Sequence, residues 1–179
     1  MSPLGFSDSI WLHWHPHLEV VLGLILVQCA YLYGIGPYRR RQTDSPDINP
    51  RQTIMFTLGT FVIFLSLTSP LHILSDHYLF SAHMLQHVLI TLICPPLLIV
   101  GTPGWLASKL FQNRWSISVF RRIFHPLGAV VIFNIIFSMW HLPILYNLSV
   151  SYHWVHILEH SLFISASIVM WWPICSQVQ

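Results

Sequence analysis

The chain alternates long apolar stretches with short polar breaks. Five stretches approach the roughly 20 mostly apolar residues that a membrane-spanning helix needs. The pattern predicts helices over about 17–34, 54–74, 78–100, 126–146 and 154–175. Pro16 suits the first position of the first helix, and Gly34, Gly36 and Pro37 are expected to end it. Pro70, Pro95, Pro96 and Pro143 fall inside windows and should kink or shorten helices there. The predicted fold is all-α: a polytopic transmembrane helical bundle of about five spans, with residues 1–179 as one domain.

The polar breaks carry an orientation. Arg39, Arg40, Arg41 and Arg51 lie in the loop 35–53, and Lys109, Arg114, Arg121 and Arg122 in the loop 101–125. These are all 8 Lys and Arg residues of the chain. Basic residues stay on the cytoplasmic side, so both loops are expected there, with the N-terminus outside. The stretch 104–124 mixes Trp105, Leu110, Trp115 and Phe120 with its bases. It reads as an interfacial helix on anionic lipid.

Composition agrees. Of 179 residues, 54% are apolar and only 8% charged, against roughly 25% charged in a soluble domain. Mean hydropathy is +0.62. A soluble globule, a disordered tail and a coiled coil are excluded. A net charge of +2 gives no electrostatic footprint for nucleic acid. The three cysteines, Cys29, Cys94 and Cys175, form no CxxC pair, which argues against a disulfide framework or a Cys-based zinc site. The first 20 residues hold no Lys or Arg, so the basic region of a signal peptide is missing.

Twelve histidines change the picture. On the expected topology all but His125 fall at the outer side. His13, His15 and His17 lie at the mouth of the first helix, and His72 and His77 flank the next outer loop. His83, His87 and His141 lie in outer halves of helices, followed by His153, His156 and His160. His83-Met-Leu-Gln-His87 and His156-Ile-Leu-Glu-His160 are two HxxxH motifs. Residues i and i+4 share a helix face about 6 Å apart, so two imidazoles there can grip one ion. His87 and His160 would sit roughly 10–14 Å below the outer surface. Ionisable groups at that depth are costly and turn to the bundle interior.

A single histidine near an interface is ordinarily a satisfied polar residue. Two matched motifs, with His72 and His141 on the preceding helices, point instead to a metal site. Glu159 is the candidate acceptor behind an imidazole N–H, and His13, His15 and His17 could capture an ion at the surface. Imidazole suits copper, zinc, iron and nickel. Met84 and Met139 lie near His83 and His141, and thioether sulfur favours Cu(I). Two-coordinate histidine pairs would also suit Cu(I) and leave room to hand the ion on. Methionine beside histidine is more often bundle packing, so copper stays one candidate among these ions, with iron or haem as alternatives.

The sequence also resembles a known family, the integral membrane CtaG-type cytochrome c oxidase assembly factors linked to caa-type oxidases. The resemblance rests on His83-Met-Leu-Gln-His87, Pro95-Pro96-Leu97-Leu98 and Gly101-Thr102-Pro103. It continues through His141-Leu-Pro143, Tyr146, His156-Ile-Leu-Glu159-His160 and Trp171-Trp172-Pro173. Tyr31-Leu-Tyr33 with the following Arg run, and Ser69-Pro70-Leu71, also fit. Relatives usually continue past Trp-Trp-Pro with further spans, whereas this chain stops at Gln179. The resemblance implies a role in maturing haem–copper oxidase at its copper step, in a bacterial plasma membrane. The implied partners are the bilayer, an oxidase subunit and a copper chaperone.

The expected function is thus binding and assembly rather than catalysis. One alternative is a membrane di-metal oxidase or hydroxylase, whose HxxxH boxes usually face the cytoplasm. The usual HxxHH box of those enzymes is absent here. The other is a b-type cytochrome with bis-His haem, for which His87 and His160 would serve.

Overall fold

A computed structural model describes residues 14, 17–41, 47–77, 79–110 and 124–176. Among these residues the chain is helical, with no strand. The helices are α1 (Leu18–Tyr33), α2 (Pro50–Thr68), α3 (Pro70–His77), α4 (Phe80–Val88), α5 (Cys94–Gly101), α6 (Gly104–Leu110), α7 (Pro126–Trp140), α8 (Pro143–Ser151) and α9 (His153–Cys175). Four rods are long and apolar enough to cross a membrane: Leu18–Tyr38, Pro50–Thr68, Phe80–Gly101 and His153–Cys175. The pair α7 and α8, bent by 69°, makes a fifth if it is one span. The protein is a multi-pass membrane bundle. Residues 111–123 of the expected interfacial helix lie outside the described residues; within it, 104–110 is helical.

Proline decides where the rods break. The helix expected over 54–74 is two helices. Ser69 precedes Pro70, whose ring disfavours a helical residue before it, and Ser69 is extended at φ −80, ψ 171. The Leu71 N–H then donates to Ser69 Oγ at 3.3 Å. The helix expected over 126–146 is corrected in the same way. Leu142, ahead of Pro143, is extended at φ −68, ψ 138, and α8 begins with proline in its first turn. The first helix does not end at Gly34. It continues through a π-helical turn, Gly34–Tyr38, which absorbs Pro37.

The third rod also runs through its prolines, by way of a π-helical turn at Leu89–Ile93. Pro95 has no N–H to give the carbonyl of Thr91, one turn back. The indole Nε1–H of Trp171 on α9 donates to that carbonyl at 3.0 Å. In hydrocarbon a freed backbone group must find such a partner. Trp171→Phe keeps a ring and removes the donor. It is expected to lower stability by about 1–3 kcal/mol, the cost of leaving a buried acceptor unpaired. A denaturant titration in detergent micelles checks this.

Helix pairing follows small residues, as it must where lipid is as apolar as leucine. Gly101 lets α5 meet α2 backbone to backbone. A Cβ there would stand 2.7 Å from Phe56 Cα and 2.8 Å from Gln52 O. Tyr31 stacks on Phe56 with ring centroids 3.8 Å apart and donates its hydroxyl to Gly101 O at 2.8 Å. Farther along, Ile90, Trp140 and Phe163 form the apolar floor beneath the histidines. The described bases Arg39, Arg40, Arg41, Arg51 and Lys109 fall after α1 and α5 or at the start of α2. They therefore occupy the end of the bundle opposite the histidines.

Candidate metal centre

Four joints meet at the histidine end: the start of α1, the α2–α3–α4 corner, the α7–α8 corner and the α8–α9 corner. Each corner is made by a proline or an extended cap, and each delivers histidine. His72 comes from α3, His83 and His87 from α4, His141 from the end of α7, and His156 and His160 from α9. His72, His83, His87 and His160 are buried, and His141 and His156 are half-buried.

The six fall into two linked groups. His72, His156 and His160 each offer a ring nitrogen, and the three nitrogens lie within 4.8 Å of one another. Their ring centroids are 4.4 Å apart for His156–His160, 5.5 Å for His72–His156 and 6.3 Å for His72–His160. The second group is His83, His87 and His141. The Nε2 atoms of His83 and His87 are 2.7 Å apart. That is a hydrogen bond between imidazoles. Two nitrogens at about 2.0–2.1 Å from one tetrahedral ion would stand roughly 3.3 Å apart. His141 Nδ1–H donates to Phe137 O at 2.6 Å, which turns Nε2 inward. His87 joins the groups, 5.6 Å from His141 and 6.0 Å from His160 by ring centroids.

Gln86 stands between the groups. Its Nε2 lies 3.2 Å from His72 Nδ1 and 3.1 Å from His160 Nε2. An amide NH₂ can donate to both, so two imidazole lone pairs converge on its hydrogens. Its Oε1, His87 Nδ1, His141 Nε2 and His160 Nδ1 are buried with no hydrogen-bond partner among the described residues. Such groups are costly inside a bilayer unless something else meets them. Sequence reasoning passed over Gln86, although its place inside the first HxxxH motif was a signal.

Glu159 is 3% exposed and faces the bundle. It accepts the hydroxyl of Ser149, whose oxygen is also 3.3 Å from His156 Nδ1. Ser75 stands in the same relation to His83, with its Oγ 3.3 Å from Nδ1. A cavity of about 280 Å3 opens above these residues, lined by His17, His72, His83, His153, His156 and Glu159 among others. At its rim the Glu19 carboxylate lies 2.7 Å from His153 Nε2 and 3.6 Å from His17 Nδ1. His13 and His15 lie outside the described residues, as does the side chain of His77. His125 is exposed at the basic end.

Three imidazole nitrogens within 4.8 Å of one another, with no described Lys or Arg beside them, could hold a soft-to-borderline cation. Residues 29–179 match the family described as cytochrome c oxidase caa3 assembly factor (Caa3_CtaG). Neither a curated protein nor a solved structure matches the chain.

Proposed function

Because the chain belongs to the cytochrome c oxidase caa3 assembly-factor family, we propose that it carries copper to the oxidase during assembly. The observation that carries this reading is the set of three ring nitrogens from His72, His156 and His160, within 4.8 Å in a buried polar end of the bundle. Copper here is cargo. His72, His156 and His160 hold the ion, and the amide of Gln86 withdraws from the lone pairs it now covers. His83, His87 and His141 form the neighbouring stop. Imidazole binds metal only as the neutral base. An open face toward the cavity leaves room for a receiving ligand, which a carrier needs and a closed tetrahedral site lacks. The role is binding and delivery rather than catalysis, at the bacterial plasma membrane, with an oxidase subunit as receiver and a copper chaperone as donor.

The orientation follows from the basic end, which belongs in the cytoplasm by the positive-inside rule. The histidines then face outward, where copper is loaded. Elemental analysis of the purified protein, beside reporter fusions after Gln42 and Tyr152, tests the reading. Copper with a cytoplasmic first fusion and an external second is the expected result. Iron with a Soret band would replace copper by haem, and reversed fusions would put the cluster on the wrong side for delivery.

Glu159→Gln keeps the shape and removes the charge that orders Ser149 beside His156. Outer partners of this kind tune affinity by about 10–100-fold when changed. Copper retention against a competing chelator is expected to fall at the lower end of that range, less than on losing an imidazole.

A further inference from the structure

We propose that His17, Glu19 and His153 form a second cation site at the cavity mouth, where a copper ion docks before it reaches the buried histidines. The proposal rests on the copper reading above. The three residues come from opposite parts of the chain, the start of α1 and the first residue of α9. Their ligand atoms nevertheless lie within 4.8 Å of one another. Glu19 and His153 are exposed and His17 is half-buried, so an ion can reach them from water. Two imidazole nitrogens with one carboxylate oxygen suit a divalent transition ion, and Cu²⁺ heads the affinity order for such sites. The carboxylate also gives negative charge at an end of the bundle where no described residue is Lys or Arg.

The mouth connects with the interior through His17. Its ring centroid is 5.1 Å from that of His153 and 5.2 Å from that of His72. His72 belongs to the buried triad and also lines the cavity. An ion can therefore exchange one imidazole at a time, from His153 to His17 to His72, with each step no longer than a side-chain rotation. The buried triad lacks a carboxylate ligand, and the mouth has one. Glu19 and His153 are exposed to water while His72 and His160 are buried, which makes the mouth the weaker, faster-exchanging site and the triad the place of retention.

The test uses the full chain in nanodiscs with Cu(II) alone as the probe, read by equilibrium dialysis and by electron paramagnetic resonance. Two ions per chain are expected, one tight and one weak, the weak one with mixed nitrogen and oxygen ligation. Glu19→Gln with His153→Gln should remove the weak ion, leave the tight one, and slow its loading at least tenfold in stopped-flow mixing. His156→Ala with His160→Ala should remove the tight ion and keep the weak one. The proposal is overturned if the Glu19/His153 variant binds both ions at the wild-type rate. It is also overturned if that variant loses only thermal stability, which would make the trio a tie between α1 and α9. Wild type holding one ion, lost only with His156 and His160, refutes the mouth site and leaves the copper reading standing. A tight ion that survives in the His156/His160 variant refutes the copper reading at the triad instead.

Discussion

Replacing His156 and His160 together by alanine is expected to strip copper from the purified protein and stop oxidase maturation in cells. Both imidazoles stand on one face of α9, and with His72 they supply all three nitrogens of the buried set. Changing only an outer partner of a bound imidazole costs about 10–100-fold in affinity. Losing two of three ligands should exceed the upper end of that range. His125→Ala, at the basic end and exposed, is the matched control and should leave copper content and oxidase activity unchanged. Chelator competition gives the first quantity, and oxidase activity in a complemented deletion strain gives the second. If the double variant keeps its copper, the histidine end is a structural polar plug.

The second large effect concerns the scaffold. Gly101→Ala adds a single methyl group at the point where α5 touches α2. That methyl would stand 2.7 Å from Phe56 Cα and 2.8 Å from Gln52 O, with the Phe56 amide nitrogen closer still. Backbone atoms cannot rotate aside, so the helices must part. Overpacking of this kind costs about 1–3 kcal/mol and sometimes more. It would also pull Gly101 O away from the Tyr31 hydroxyl that it accepts. Gly23 offers the contrast, since a Cβ there meets nothing within 4 Å. Gly23→Ala replaces a poor helix former with the best one and should be neutral or mildly stabilising. Unfolding midpoints of the two variants in one detergent make the comparison direct.

The helical bundle and the approximate place of most of its long helices were legible because span length is a local property. Residues 18–38, 80–101 and 153–175 lie close to the expected windows. The breaks ahead of Pro70 and Pro143 were legible from proline itself, although the windows over 54–74 and 126–146 ran through them. The two π-helical turns were not legible, because a wide turn leaves no mark on hydropathy. At the site, the HxxxH spacing told which histidines share a helix face. It could not tell which helices are neighbours. The expectation was that His83, His87, His156 and His160 converge as two-coordinate pairs, with His72 or His141 close by. In the structure His72 sides with α9, His141 lies nearest His87, and Gln86 stands between. The trio His17, Glu19 and His153 was hidden for the same reason. It depends on α1 and α9 standing side by side.

The π-helical turn at Leu89–Ile93 has a consequence for how this bundle can vary. Positions 87 and 101 stand nearly four turns apart at about 3.6 residues per turn, so in an unbroken α-helix they would share a face. Here His87 looks toward Phe137 and Phe163, while Gly101 looks toward Phe56 on α2. The extra residue taken up by a π-turn rotates one half against the other by about 100°. The rod is therefore two modules in different angular phase. One is tuned for chemistry and the other for cohesion. Substitutions around His83 and His87 can reshape the ion path without disturbing the clasp at Gly101. A one-residue deletion within 89–93 would remove the residue that the wide turn takes up, so the rod would become plain α-helix with both modules still facing their present neighbours.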